Sequence, residues 1–339
     1  MTPGCEMELF LGIDTSCYTT SLAVVNSEGN LLSEARRLLV TPKGGRGLAQ
    51  NEAVFQHVNN LPELFAQIYA DVSAMDLRGI AASVRPRPVE GSYMPVFRVA
   101  GSYGRSLSAI LGVPFIAASH QEGHLAAGLW SAQGPDEKKF LAVHLSGGTT
   151  ELLCVETING SENNDNVFEI SLMGGTSDLH AGQFVDRVGV ALGLTFPAGP
   201  QLEQLAKEGQ QVDVQGDSVS IPSSVKGYQI SFSGPETQAL RLIERDTPKP
   251  LVARAVEKCI ATTLEKVISN AVAYTGIKEV LVVGGVSANG FIREKLSGKL
   301  HQKSVGARMY FAAPGLSSDN AVGTALIGCQ KLKNKNGWK

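Results

Sequence analysis

The feature that most constrains the fold is a pattern that occurs twice along the chain. Residues 9–13 form a short apolar run, a small polar loop spans 14–20, and a second apolar run follows at 21–25. The same order returns at 140–156, where a loop of Gly, Ser and Thr occupies 146–150. Apolar runs of this length between polar loops are typical of buried strands. The repetition therefore predicts an internal duplication of one α/β unit, each copy led by a strand–loop–strand hairpin.

The remaining segments alternate between the two kinds of secondary structure. Apolar spacing and composition indicate helices at about 52–70, 95–111, 120–130, 180–192, 200–208, 249–273, after 290, and 319–331. Apolar runs indicate further strands at 79–84, 113–117, 278–283 and 309–312, with a β segment near 219–232. Strands that alternate with helices predict an α/β protein with mixed sheets. The length of 339 residues favours two domains. The polar insert 159–166 and the basic tail 331–339 are interpreted as solvated segments.

Charge and composition narrow the possible partners. Lys and Arg number 30 against 32 Asp and Glu, and a net charge of −2 excludes binding of nucleic acid through bulk charge alone. A local basic patch, or a partner that brings the nucleic acid, stays open. The chain has no apolar run of about 18 residues and no basic stretch at its start, so neither a membrane span nor a signal peptide is expected. Five scattered cysteines favour reduced thiols and a cytoplasmic location: Cys5, Cys17, Cys154, Cys259 and Cys329.

Three glycine-containing loops follow expected strands, at 146–150, 174–177 and 284–290. Glycines allow the backbone to approach a ligand, and successive amide N–H groups form concave anion sites. None of the loops has the Walker or the Gly-x-Gly-x-x-Gly pattern, and any one alone could be a simple turn. Two of them in a duplicated frame favour a nucleotide between two lobes. The hairpin tips would hold its phosphates, and Gly284-Gly285 would lie beside its adenosine.

A pair of histidines gives a second signal. His120 and His124 are four residues apart, so they share one face of a helix and can bind one metal ion. The pair differs from the zinc-protease motif because Glu122 follows the first histidine by two positions rather than one. His144, at the end of a strand, and Asp319, at an expected helix start, could complete the ligand set. The alternatives also stay open: an accidental pair, a buried hydrogen-bonded His144, and Asp319 as a helix cap.

The segment Arg85-Pro86-Arg87-Pro88 combines two stiffening prolines with two guanidinium groups. Arginines on a rigid loop suit a carboxylate, a phosphate or an RNA backbone. A solvated loop without a ligand is the alternative.

Taken together, these residues resemble the TsaD family, the tRNA threonylcarbamoyladenosine synthases formerly called glycoproteases or O-sialoglycoprotein endopeptidases. The similar segments follow the family order over almost the whole chain. They are Leu11-Gly12-Ile13-Asp14-Thr15-Ser16-Cys17, His120-x-x-x-His124, Ser146-Gly147-Gly148-Thr149-Thr150, Ala181-Gly182-Gln183-Phe184-Val185-Asp186, Pro197-Ala198-Gly199-Pro200, Ser231-Phe232-Ser233-Gly234, Gly284-Gly285-Val286-Ser287-Ala288-Asn289 and Ser318-Asp319-Asn320-Ala321.

The resemblance implies an actin-like (ASKHA) ATPase fold, with two lobes of duplicated α/β units around an interlobe cleft. The N-terminal lobe would comprise residues 1–118 with part of the final helix, about 319–332. The C-terminal lobe would comprise residues 119–318 and carry family-specific inserts.

The resemblance also implies a site and a reaction. Iron or zinc would be held by His120, His124 and Asp319, with His144 as a candidate fourth ligand, because archaeal and eukaryotic relatives place a tyrosine ligand there. ATP or threonylcarbamoyl-adenylate would be bound by Ser146, Gly147, Gly148, Thr149, Asp186, Gly199, Glu203 and Asn289. The family moves a threonylcarbamoyl group from its adenylate to N6 of adenosine 37 in tRNA. Partner proteins in a hetero-complex deliver the tRNA.

Four positions depart from the family pattern. Tyr18-Thr19 replaces an Asp-Glu pair tied to activity, Arg85–Pro88 replaces Gly-Pro-Gly, Gln183 replaces a glutamate, and Pro235-Glu236 replaces Leu-Lys. Neither Tyr18 nor Thr19 can act as a carboxylate base, so no catalytic residue can be assigned. Three hypotheses remain: a divergent transferase, with the same or another acceptor; a paralogue without transferase activity that acts as a binding partner; and a metalloprotease, which the placement of Glu122 disfavours.

Overall fold

The computed structural model describes residues 8–16, 18–42, 47–158, 167–213, 219–302 and 305–336. Cys17, the polar insert 159–166 and the last part of the basic tail lie outside the described residues. Cys154, Cys259 and Cys329 are free thiols, as predicted.

The first sheet has five strands in the order β3-β2-β1-β4-β5. Their bounds are β1 Leu9–Asp14, β2 Thr19–Asn26, β3 Leu31–Leu38, β4 Leu77–Arg85 and β5 Phe115–Ser119. β1, β2 and β3 pair antiparallel, whereas β4 pairs parallel with β1 and with β5. β1 is buried along its whole length, which explains its uninterrupted apolar run.

The second sheet has seven strands in the order β12-β11-β6-β7-β8-β10-β9. Their bounds are β6 Lys139–Leu145, β7 Thr150–Thr157, β8 Phe168–Thr176, β9 Ser224–Lys226, β10 Gln229–Ser231, β11 Glu279–Val283 and β12 Arg308–Phe311. Read as β8-β7-β6-β11-β12, this sheet repeats the strand order and directions of the first. The predicted internal duplication is therefore confirmed.

Ten α-helices connect and cover the strands in the described part of the chain. They are α1 Gln50–Asp71, α2 Phe97–Leu111, α3 His120–Ala132, α4 Ala181–Ala191, α5 Gly199–Asp213, α6 Ser233–Glu244, α7 Lys249–Thr275, α8 Gly290–Leu300, α9 Pro314–Ser317 and α10 Val322–Asn336. None of these helices combines the length and the apolar character needed to cross a membrane.

Two sequence-based predictions were wrong in detail. Gly174 and Gly175 lie inside β8, a strand that the sequence pattern did not reveal, rather than in a phosphate loop. The final helix begins at Val322 instead of 319, because Asn320 Oδ1 accepts a hydrogen bond from the Val322 N–H and ends the preceding turn. It also continues through the first part of the expected solvated tail, to Asn336.

The helices α3 and α10 lie together between the two sheets. Their apolar side chains form one core cluster with residues of both sheets, including Phe10, Ala81, Phe140 and Leu281. The two helices approach so closely that a Cβ added to Gly323 of α10 would lie 1.8 Å from the carbonyl oxygen of Gly123 in α3. α10 also packs on β1, β2 and β4 of the first sheet. The domain boundary between residues 118 and 119 stays a prediction.

Candidate functional site

The start of α3 places two histidines on one face of the helix. Ser119 is the N-cap: its N–H donates to Glu122 Oε2 at 2.8 Å, and its hydroxyl oxygen accepts from the Glu122 N–H at 3.2 Å, which forms a capping box. His120 is the first residue of the helix, and His124 lies one turn later. Glu122 is 1% exposed and holds the cap, so it cannot serve as the base of a protease. The burial of Glu122 therefore also disfavours the metalloprotease hypothesis.

Three ligand atoms converge between the two sheets. Nε2 of His120 lies 3.1 Å from Nε2 of His124, and each of these atoms lies 3.4 Å from Asp319 Oδ1. Ligands about 2.05 Å from a tetrahedral metal are separated by about 3.3 Å, the size of this triangle. The group His120, His124 and Asp319 could therefore hold a metal ion. The predicted helix pair is not a chance surface feature, because both histidines are buried.

Asp319 reaches this point from the turn between α9 and α10. The helix-cap alternative for Asp319 is wrong, because the oxygen that caps the start of α10 belongs to Asn320. The close approach of α10 to α3 then aims the Asp319 carboxylate at the two imidazoles. The site thus depends on a turn of the chain that lies about two hundred residues beyond the histidines.

His144 completes a cluster of three imidazoles. It lies on the face of β6 shared with Phe140 and Ala142, which turns it towards α3, and its ring centroid is 4.7 Å from that of His124. Both ring nitrogens of His144 are buried without a hydrogen-bond partner among the described residues. The alternative of a hydrogen-bonded core histidine is therefore wrong. Buried orphan nitrogens are costly, so they fit a site that receives a ligand or a metal.

The charges at the site are strongly coupled. Burial lowers the pKa of His120, but the charge and hydrogen bond of Asp14 and those of Asp319 outweigh it and raise this pKa to about 10. Burial lowers the pKa of both His124 and His144, and the neighbouring imidazoles lower both pKa values further. Burial raises the pKa of Asp319, but its bonds to the two α3 histidines dominate and hold it well below the usual range. Metals bind neutral imidazoles and ionised carboxylates, so a metal at this site would have to displace the proton that Asp14 and Asp319 hold on His120.

Sequence reasoning missed one contributor, Asp14, at the end of β1. Its Oδ2 lies 3.2 Å from His120 Nδ1, which leaves Nε2 to face Asp319. Its Oδ1 accepts from the Ser16 N–H at 2.7 Å and from the Ser16 hydroxyl. A carboxylate that holds the outer nitrogen of a ligating histidine fixes its tautomer and ring orientation.

We therefore expect Asp14→Asn to weaken zinc affinity roughly 10- to 100-fold, because the imidazole loses its orienting carboxylate. Competition against a chelating dye measures this change. Asp178→Asn is the control, since that carboxylate accepts from the hydroxyls of Ser231 and Ser233 and takes no part in the histidine cluster. Equal zinc affinity of Asp14→Asn and the unaltered protein would contradict the assignment.

The predicted phosphate loop abuts the start of α4. The Ser146 N–H bonds to the Thr149 carbonyl at 2.8 Å, and the Gly182 N–H bonds to the Ser146 carbonyl at 3.1 Å. A Cβ on Gly182 would lie 2.7 Å from the Gly147 nitrogen, so glycine is required for this approach. At Gly147 and Gly148 no described atom lies within 4 Å of an added Cβ. The loop therefore borders open space beside the positive end of a helix dipole, an arrangement suited to phosphate.

The predicted nucleoside residues lie on α4, in the first turns of α5 and at the N-cap of α8. Asp186 on α4 holds the next loop, because its Oδ1 accepts from the Ala198 N–H at 2.8 Å. Glu203 on α5 accepts from the Gly290 N–H at 3.2 Å, which joins α5 to the loop after β11. Gly199 and Gly285 border open space among the described atoms. The structure thus brings Glu203 and the Asn289 loop together, and Asp186 fixes the segment that leads into α5.

Arg87 lies in the loop after β4 with its side chain 43% exposed, and it forms an ion pair with the second sheet. Its Nη2 lies 2.5 Å from Glu151 Oε1, and Gln121 Nε2 donates to Glu151 Oε2 at 2.7 Å. Glu151 itself is buried in β7, directly after the phosphate loop. The contact joins the segment after β4 to the second sheet beside the histidine cluster.

The two residues that replace the acidic pair have structural partners. Thr19 is 5% exposed and begins β2, where it pairs with Leu38. The Tyr18 ring packs edge-on against Phe196, with centroids 5.5 Å apart, and Phe196 belongs to the loop between α4 and α5. These positions therefore supply packing rather than a carboxylate.

Comparisons with known proteins agree with this geometry. Residues 33–326 match the family described as TsaD, tRNA N6-adenosine threonylcarbamoyltransferase. A protein of that name from Prochlorococcus marinus is 30% identical over 342 residues, which cover 96% of this chain and 90% of the relative. Another of that name, from Thermus thermophilus, is 31% identical over 321 residues, which cover 93% and 90% respectively.

A solved structure shows the same fold. Component A of (R)-2-hydroxyglutaryl-CoA dehydratase from Acidaminococcus fermentans superposes with a TM-score of 0.53, at 16% identity, over 96% of this chain and 98% of that chain. Such a low identity shows the fold alone. The actin-like (ASKHA) α/β fold with two lobes is thereby confirmed. The family match and the full-length relatives together show that the chain belongs to the TsaD family.

Proposed function

We propose that this protein transfers a threonylcarbamoyl group from its adenylate to N6 of adenosine 37 in tRNA. The observation that carries the proposal is the convergence of His120, His124 and Asp319 beside the orphan nitrogens of His144. This cluster occurs in a chain whose relatives are named tRNA N6-adenosine threonylcarbamoyltransferase.

The ligand set proposed for iron or zinc is His120, His124 and Asp319, with His144 as a candidate fourth ligand. When bound there, the metal would supply a Lewis acid that polarises oxygens of an anionic ligand. Asp14 orients His120, and the capping box fixes the start of α3. These residues keep the donor atoms in place before a ligand arrives, so little reorganisation is needed when it binds.

The proposed ligand, ATP or threonylcarbamoyl-adenylate, extends from the phosphate loop towards α5. Ser146, Gly147, Gly148 and Thr149 would bind phosphate from the loop that abuts the start of α4. Asp186, Gly199, Glu203 and Asn289 would bind the nucleoside. The open space at Gly148 and Gly285 supports this placement. The tRNA would reach the site through partner proteins of a hetero-complex, as the net charge of −2 suggests.

A second candidate function is that of a binding partner without transferase activity. The observation that favours it is the contact of Tyr18 with Phe196, together with the burial of Thr19, because both positions lack the acids usual in the family. In this case the nucleotide site persists, but the acceptor adenosine is not modified.

Mass spectrometry of tRNA nucleosides distinguishes the two functions. Metal-loaded protein is added to an extract that lacks its own threonylcarbamoyltransferase but retains the enzyme that makes the adenylate. We expect threonylcarbamoyladenosine to reappear, because the metal and nucleotide residues are retained, and an Asp319→Asn variant to fail. If the unaltered protein binds ATP but restores no modified nucleoside, the transferase proposal is wrong and the partner function is favoured.

A further inference from the structure

Helix α7 carries a buried pair of charges that belongs neither to the proposed metal ligands nor to the proposed nucleotide ligands. Arg254 and Glu257 are 4% and 1% exposed, and Arg254 Nη1 donates to Glu257 Oε2 at 2.7 Å. The pair lies in a stretch of α7 whose neighbouring residues, such as Val256 and Ile260, belong to the main apolar core of the second lobe. Moving two charges out of water costs free energy that their attraction often fails to recover. A gain in folding stability therefore does not explain why charged residues occupy these two positions.

The second oxygen of Glu257 leads to the proposed nucleoside site. Glu257 Oε1 accepts from Asn289 Nδ2 at 2.6 Å, and Asn289 Oδ1 accepts from the Ile292 N–H at 2.9 Å, where it caps α8. Rotating the amide by half a turn would set Oδ1 against the carboxylate and Nδ2 against an N–H group. Both contacts would then be repulsive, so the orientation of Asn289 is fixed.

This orientation determines what Asn289 can offer to a ligand. An Asn side chain has two N–H donors and one acceptor oxygen. One donor is bound to Glu257, and the oxygen is engaged by the helix cap. The second lone pair of that oxygen lies beside the N–H groups at the start of α8, so the remaining Nδ2–H of this half-buried side chain is the group left for a ligand, in the same loop as Gly285, which borders open space. Asn289 would therefore donate to its ligand rather than accept from it.

Arg254 holds the same loop from its other side. Its guanidinium lies over the ring of Phe291, 4.3 Å from the centroid, and Phe291 follows the loop after β11 by one residue. The pair on α7 thus contacts the two residues that flank Gly290, whose N–H bonds to Glu203. Burial raises the pKa of Glu257 to about 7, while the Asn289 bond and the Arg254 charge act in the opposite direction.

We propose that Arg254 and Glu257 are positioning residues that orient Asn289 as a hydrogen-bond donor towards an acceptor atom of the nucleoside, such as a purine ring nitrogen or a ribose oxygen. The inference deepens the proposed function, on which it rests. It assigns a role to two residues that are remote from the phosphates and the metal ligands.

The test uses a variant that removes both charges and keeps the volume of the pair. Replacing a buried ion pair with apolar residues is often neutral for stability, so Arg254→Met combined with Glu257→Leu should fold. Titration calorimetry of the metal-loaded full chain then compares ATP with inorganic tripolyphosphate. We expect ATP to bind about 10-fold more weakly, the worth of one oriented hydrogen bond. Tripolyphosphate should bind equally well to both proteins, because the phosphate loop is unchanged.

Glu279→Gln is the matched control. Glu279 is also a buried glutamate paired with an arginine, Arg308, at 3.0 Å, but it lies at the opposite end of β11 from the Asn289 loop. The Glu279→Gln variant should bind ATP and tripolyphosphate with the same affinities as the unaltered protein. The single variant Glu257→Gln gives a second measurement: its amide cannot accept from both Arg254 and Asn289, so ATP should again be the ligand that is weakened.

Each result decides between the roles. Equal ATP affinity in the double variant and the unaltered protein would overturn the positioning role and leave the proposed function intact. If the double variant binds both ATP and tripolyphosphate more weakly to the same extent, the pair has a merely structural role, and the positioning role is also overturned. If the unaltered protein binds tripolyphosphate but not ATP, both the inference and the proposed nucleoside site are wrong.

Discussion

A His124→Ala variant is expected to bind zinc far more weakly than the unaltered protein. His124 Nε2 is one corner of the donor triangle, and alanine leaves two of its three donors, to which only the candidate ligand His144 could add a third. The loss should exceed the 10- to 100-fold that removal of an orienting carboxylate costs, so we expect at least about 100-fold weaker zinc affinity. Metal analysis after dialysis against a fixed zinc concentration measures the bound fraction.

The control for this variant is His301→Ala. His301 follows the last residue of α8 on the protein surface, so its replacement should leave the metal content unchanged. Circular dichroism should show that both variants are folded. A His124→Ala protein that retains zinc at the level of the unaltered chain would remove the basis of the proposed metal centre.

Gly323→Ala is expected to cause the largest loss of stability. The added Cβ would lie 1.8 Å from the carbonyl oxygen of Gly123, which is backbone and cannot rotate away, so α10 must shift from α3. Overpacking of this kind costs about 3 kcal/mol or more in the free energy of unfolding. For a chain of 339 residues the melting temperature should fall by roughly 4 °C or more, measurable by calorimetry. Because Asp319 precedes α10 directly, zinc affinity should fall as well.

The same substitution at another helical glycine provides the comparison. Gly298 is exposed on α8, and no described atom lies within 4 Å of an added Cβ. Gly298→Ala should stabilise the protein by about 0.5–1 kcal/mol, because alanine is the better helix former. If Gly323→Ala melts at or above the temperature of the unaltered protein, the close crossing of α3 and α10 is not what holds the site together.

Much of the site could be predicted because its signals are local. The four-residue spacing of His120 and His124, and the Gly-rich loop after β6, are properties of single segments. Asp14 could not be found in this way, because its contact with His120 joins the end of β1 to the start of α3, residues 106 positions apart. Spacing within one segment carries no information about such a contact.

The errors have physical causes as well. Gly174 and Gly175 are typical of loops, yet β8 accommodates them because Tyr228 crowds the position where a Cβ of Gly174 would be. A cap role for Asp319 was an open alternative because Asp and Asn are both good caps. In the structure the Val322 N–H donates to the neighbouring Asn320 instead. The burial of Arg254 and Glu257 could not be predicted, since the sequence does not show that this face of α7 is buried.

The position of α10 has a consequence for biosynthesis. The helix packs on β1, near the opposite end of the sequence, and only the turn before it supplies Asp319. A ribosome-bound chain that has released both sheets therefore still exposes the apolar faces of β1 and α3, and it offers a metal only imidazoles. Closure of the first lobe and completion of the donor set by Asp319 should therefore occur together, once α10 (Val322–Asn336) is free to pack on β1 and α3.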